Sequence, residues 1–183
     1  MLKEINVNFD VLEMMLFYWE SVASKDKMSD EYFIEIANKK EMQVLYNEEF
    51  SVDSFRRVLS AISNREKLNS KSKAESRFWS QNMRMIEDLE LTRAMLAPIK
   101  TLNISSLVGE NLRSEKLEVV FIPFCEGEEI INKDKIYFNF FNIIASRKYD
   151  ENGFAETGEI TVFLHEKTIK DYVIERVKQV YKN

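Results

Sequence analysis

Four glycines and two prolines in 183 residues leave little in this chain to interrupt a helix. Glycine weakens helices through backbone entropy, and proline breaks them by losing its amide donor and clashing with the preceding turn. Long helices are therefore expected wherever apolar residues recur at steps of three and four. Such a stripe runs through Val11, Met14, Met15 and Tyr18, on a helix that Asp10 can cap and that ends near Ala23. Ser29, with Met28 before it as a hydrophobic staple, can open a short helix through DEYFIEIAN. Ser51 opens a third, marked by Phe55, Val58, Leu59 and Ile62. The longest expected helix spans about 72 to 96, with Phe78, Met83, Ile86, Leu89 and Met95 inward and Pro98 as its stop. Methionines in these helices read as gap-filling core residues.

Beyond Gly109 the pattern changes. LEVVFIPF (117–124) and KIYFNFF (135–141) are β-branched and aromatic runs that read as strands. CEGEEIINKD between them supplies turn residues, so an antiparallel pair or two edges of a small sheet is expected. SRKYDENGFAETGE reads as a polar loop. A last helix, capped by Thr157, would carry Ile160, Leu164, Ile169, Tyr172, Val173, Val177 and Val180 on its apolar face, with His165 beside that stripe. The expectation is one α+β domain over residues 1–183. Its helical part covers 1–112, the amino-terminal two thirds. A small antiparallel or mixed sheet and a carboxyl-terminal helix bearing His165 and Glu166 occupy 113–183.

Composition limits the function classes. With 45% hydrophobic and 31% charged residues and a formal net charge of -5, the chain reads as soluble and globular. It contains no apolar run long enough to span a bilayer, and its acidic start lacks the pattern of a signal peptide, so a cytoplasmic location is expected. Cys125 is the single cysteine and reads as a reduced, packed thiol. No phosphate-cradling glycine loop, serine elbow or EF-hand spacing occurs.

Charge is unevenly distributed. Residues 1–50 hold 11 acids against 5 bases, whereas Arg56 to Arg84 holds eight bases against Glu66 and Glu75. Such a segment either complements the acidic remainder or meets an anionic partner, for which Arg56, Arg57, Arg77 and Arg84 are the candidate binding residues. Nucleic acid is the less favoured partner, because Phe78 and Trp79 fall at core spacing rather than forming a stacking platform.

The single histidine is followed at once by a glutamate, in FLHEKTI. Helices, then a strand such as VVFIPF, an edge such as KIYFNFF, a loop, and a helix starting at FLHE together resemble the front half of a bacterial gluzincin-type zinc metallopeptidase. In that family HExxH places two histidines one helical turn apart to hold zinc, and the glutamate serves as general base. The resemblance implies that His165 is the first zinc ligand and Glu166 the base. The second ligand position falls on Ile169, which cannot bind a metal, and too little chain follows for a third. The expected protein is therefore metallopeptidase-like without proteolytic activity. No cofactor is expected, with zinc reserved for a site completed by other residues or a second chain. A protein-binding module of an immunity or antitoxin kind is the alternative. A shortened relative would also expose apolar surface for a dimer contact.

Overall fold

The computed structural model describes residues 1–183, apart from the side chain of Thr157. The chain opens with a strand, β1 (Glu4–Asn8), and then enters five helices: α1 (Asp10–Ala23), α2 (Asp30–Ala37), α3 (Val52–Asn64), α4 (Lys73–Glu87) and α5 (Leu89–Lys100). Strands β2 (Lys116–Ile122), β3 (Glu129–Asn132) and β4 (Lys135–Asn139) follow, then the hairpin β5 (Ile144–Tyr149) and β6 (Ala155–Phe163), and finally α6 (Ile169–Val180). The architecture is α+β. Its main sheet has the order β1-β2-β4-β3. β1 pairs parallel with β2, from Glu4 opposite Lys116 to Asn8 opposite Val120. β2 pairs parallel with β4, and β3 closes the far edge antiparallel to β4.

The central strand shows why its sequence does not alternate. Val119, Val120, Phe121 and Ile122 of β2 are all buried. A parallel strand with neighbours on both edges is covered on both faces, so it reads as a continuous apolar run.

Four sequence expectations require correction. The stretch from 117 to 141 is not an antiparallel pair: β2 and β4 are parallel neighbours, because Glu129–Asn132, within the stretch read as a turn, forms the third strand β3. The helix expected over 72–96 divides at Asp88. There the backbone leaves the helical region (φ -137°, ψ 83°) and the carboxylate caps α5 by accepting from the Leu91 amide at 3.1 Å. A side chain that bonds the next turn competes with continuation of the first helix. Pro98 lies within α5, which runs on to Lys100.

The fourth correction concerns the carboxyl-terminal helix. It begins only at Ile169, with Thr168 Oγ1 accepting from the Asp171 amide at 3.1 Å. The segment expected to be its first half is β6, in which partly buried Ile160 and Val162 flank exposed Thr161 and the burial continues into Phe163. Thr157, the expected cap, lies inside that strand, and its side chain is outside the described residues.

A continuous buried cluster runs from Leu2 to Tyr181. Phe50, Phe55, Phe78 and Phe124 pack with ring centroids 4.9 to 5.5 Å apart. Trp19 stacks on Phe140 at 5.7 Å. No helix among the described residues is long and apolar enough to cross a membrane.

The start of α4 is held by a buried charge. Ser72 Oγ accepts from the Glu75 amide at 3.1 Å, and Glu75 Oε2 accepts from the Lys71 amide at 2.7 Å, in a variant of the reciprocal capping box. Arg57 closes the arrangement through an ion pair with the Glu75 carboxylate, which is 1% exposed. Burial pushes the Glu75 pKa upward, but the Lys71 amide, Ser54 and Arg57 together outweigh it and hold the pKa below its ordinary value. A carboxyl depressed on folding contributes stability that is present above its unfolded pKa of about 4.3 and lost as pH falls through the lower folded value. Glu75→Gln is expected to lower stability at pH 7 by about 1–3 kcal/mol. It should also flatten the loss of stability below pH ~4.3, measured by urea unfolding across pH.

Candidate functional site

β2 and β4 run parallel and end together at Ile122 and Asn139. The crevice beyond the carboxyl ends of parallel strands is where open α/β sheets usually receive ligands, since the chains separate there. Here it is an open groove of about 710 Å³. One wall is a single stripe of α4, with Arg77, Gln81 and Arg84 at steps of four and three. The floor includes Phe124, Cys125, Asn139 and Phe141, and the opposite wall brings Phe163, His165 and Glu166.

Asn139 shapes the floor. Its buried side chain donates to the carbonyls of Cys125 (3.2 Å) and Gly127 (3.4 Å) and accepts from the Phe141 amide (3.0 Å). One amide thus ties the loop after β2 to the end of β4 and satisfies three backbone groups that would otherwise lack partners.

The four arginines selected by charge do not act together. Arg56 is held by Asp53 at 2.8 Å and Asp30 at 3.1 Å, and Arg57 pairs with Glu75. Both are neutralised on α3, away from the groove. Arg77 reaches only Glu126, at 3.7 Å, with both side chains exposed. Arg84 donates to the Phe141 carbonyl at 3.1 Å and has no carboxylate within 4.0 Å among the described residues. Although Arg84 counts as exposed, desolvation by the surrounding walls lowers its pKa. A guanidinium remains charged under such a shift, so the groove presents a cation stripped of part of its hydration and lacking an internal counter-ion.

His165 and Glu166 occupy a tight turn rather than a helix. Their φ values are 49° and 62°, and the Leu164 and Lys167 backbones bond to each other in both directions at 2.9 and 3.1 Å. Two consecutive left-handed residues between a bonded pair make a two-residue mirror-image turn, a conformation incompatible with an α-helix. The His165 ring stacks on Tyr172 with centroids 4.9 Å apart, and Nε2 lies 3.5 Å from Glu128 Oε1. Glu166 is exposed and makes no ion pair among the described residues. Ile169, where the zinc motif needs its second histidine, is 1% exposed at the start of α6. Ligands one turn apart on a helix face are therefore not formed. Among the described residues no three His, Cys, Asp or Glu side chains gather to hold a metal. This donor set does not fit the zinc centre that the family resemblance implies, and no catalytic step is routed through one.

Cys125 is buried beneath the groove, with Sγ 3.6 Å from the Gly127 carbonyl. Burial, with Glu129 and Glu126 adding to it, pushes its thiol pKa up to about 12. A thiol needs the opposite environment to act as a nucleophile. No local pattern signals that Gln81, Asn139 and Cys125 meet His165 in one groove, because the register of two parallel strands brings them together. The spacing of Arg77, Gln81 and Arg84 was the readable part.

Comparison with protein-family models, curated proteins and solved structures finds no match to this chain. A thiol-specific reagent at pH 8 is expected to label native Cys125 at least about a hundredfold more slowly than the urea-unfolded chain. Equal rates would show that the thiol is open to solvent.

Proposed function

We propose that this chain is a binding protein rather than a peptidase, and that its groove receives a small ligand through an anionic group. Arg84 supports the reading most: it is a partly desolvated guanidinium facing the groove, with no carboxylate partner among the described residues. Carboxylate, sulfate and phosphate oxygens match the donor fork of arginine. Arg77 and Gln81 stand on the same stripe, close enough along the helix to add donors. Phe124, Phe141, Ile144 and Phe163 supply apolar surface beside the polar side chains, with the acids Glu128 and Glu166 on the wall opposite Arg84, so a ligand's anionic group is directed to the α4 side.

The gluzincin likeness can be accommodated without peptidase activity. Here His165 and Glu166 sit in a turn after β6, where that element order calls for a helix, so the helical ligand pair is not formed and the crevice beside them serves binding.

The test is titration of the purified protein with phosphate, sulfate and small dicarboxylates, followed by calorimetry. One charge-assisted bond contributes about 1.5–3 kcal/mol, so Arg84→Gln should weaken saturable binding by at least about tenfold. Arg56→Gln should leave it unchanged. Equal binding by wild type and Arg84→Gln, or no saturable binding to any of these anions, would overturn the reading.

A further inference from the structure

α4 presents a second set of residues to solvent. Trp79, Met83 and Ile86 repeat at steps of four and three, displaced by two positions from Arg77, Gln81 and Arg84. Two positions correspond to about 200° around a helix, so this stripe faces away from the anion groove. Its inner edge packs against the core, but all three side chains are only partly buried and keep an exposed edge. Together with Ala61 and Ile62 of α3 and Val22 at the end of α1, it lines an open apolar trough of about 520 Å³.

The rim of this trough is cationic. Lys25 and Arg65 line it, and neither has a carboxylate within 4.0 Å among the described residues. Glu66 is the one acid in the lining, and Lys67 stands beside it in the adjoining hollow that shares Trp79. Lys25 and Arg65 also occupy equivalent backbone positions. Each follows the end of a helix in the left-handed region, at φ 65° and 56°. The amides just beyond them, of Asp26 and Glu66, close onto Ser21 and Ala61 at 2.9 and 2.8 Å. Glycine is the residue that takes this helix-ending position without strain. At both helix ends this chain carries a long cation there instead, and both cations flank the same apolar trough. Backbone strain of this kind clusters at binding sites.

We propose that this trough is a docking site for an amphipathic helix of a partner protein, with apolar residues on one face and acidic residues along its flanks. The trough is open along its length, so a helix can bury one face and leave the other in water, as in helix-in-groove recognition. Unpaired cations on the rim select acidic flanks and disfavour basic ones. This inference is independent of the anion groove, which lies on another face of α4.

Trp79 is a built-in reporter, because Trp19 is fully buried. The probe is a fifteen-residue model helix with leucines at i, i+3, i+4 and i+7, glutamates only at the positions flanking that stripe and alanines elsewhere, compared with its lysine-substituted twin. The glutamate helix is expected to shift Trp79 emission to the blue saturably, and the shift should vanish in Trp79→Phe. The lysine helix should bind at least about tenfold more weakly. The double variant Lys25→Gly/Arg65→Gly removes both cations and relieves both backbone positions, so it should melt at the same or a higher temperature while binding the glutamate helix at least about tenfold more weakly. Equal binding of the two helices, or undiminished binding by the double variant, would overturn the proposal. So would a Trp79 response to oleate or anionic vesicles but to neither peptide. Concentration-dependent self-association that the glutamate helix does not displace would likewise overturn it, in favour of a second copy.

Discussion

Both surfaces of α4 depend on a hydrogen bond at its buried face. Trp19 of α1 donates its indole N–H to Asn82 Oδ1 at 2.8 Å, and Asn82 donates in turn to the Phe78 carbonyl at 2.8 Å. Neither residue is measurably exposed. A buried amide between an indole and a helix carbonyl fixes both the rotation and the height of the helix, since any slip leaves polar groups unsatisfied without water. Ala74, Phe78 and Met85 pack along the same buried face. With that face fixed, Arg77, Gln81 and Arg84 are presented to one side and Trp79, Met83 and Ile86 to the other. The two grooves thus follow from the seating of a single helix.

Much of the helical part is readable from the sequence. α1 covers Asp10–Ala23 as its apolar steps imply, although Asp10 is its first residue and Phe9 holds the cap position without a side-chain bond; Ser51 caps α3 by accepting from the Ser54 amide. These features are local: a stripe repeats every three or four residues, and a cap acts within one turn. The strands were less readable, for a physical reason. β1 is five residues long, and its partner β2 begins at Lys116, so the pairing that makes it a strand is a contact across more than a hundred residues. β3 is shorter still, and its polar neighbours gave the stretch the composition of a turn. SRKYDENGFAETGE, which reads as a polar loop, is mostly strand: residues 146–149 belong to β5 and 155–159 to β6, and only residues 150–154 form the hairpin tip.

The His165–Glu166 pair shows a different limit. Two letters of a metal motif can be read from any chain, but the chemistry they imply requires a helix, and here both residues sit at positive φ. Leu164 and Lys167 close the turn by backbone bonds that no side-chain pattern announces. The pair nevertheless lines the groove that the arginine stripe borders, on the wall opposite α4. The sequence therefore identified residues of the candidate site from a motif whose geometry is not formed, and the charge asymmetry of the middle segment identified Arg77 and Arg84 at the same site. The other two arginines, Arg56 and Arg57, were removed from contention by acids that lie far from at least one of them in sequence: Asp30 for Arg56 and Glu75 for Arg57.

The central claim is that Arg84, facing the groove without a carboxylate partner among the described residues, is available to an anion, while Arg56 and Arg57 are already paired with acids. The most direct measurement is NMR of the arginine Nε–Hε signals during titration with sulfate. The account predicts saturable movement of the Arg84 signal, with Arg77 following and Arg56 and Arg57 still. A uniform drift of all four signals in proportion to salt concentration would contradict it, because the anion would then be screening the surface rather than occupying a site.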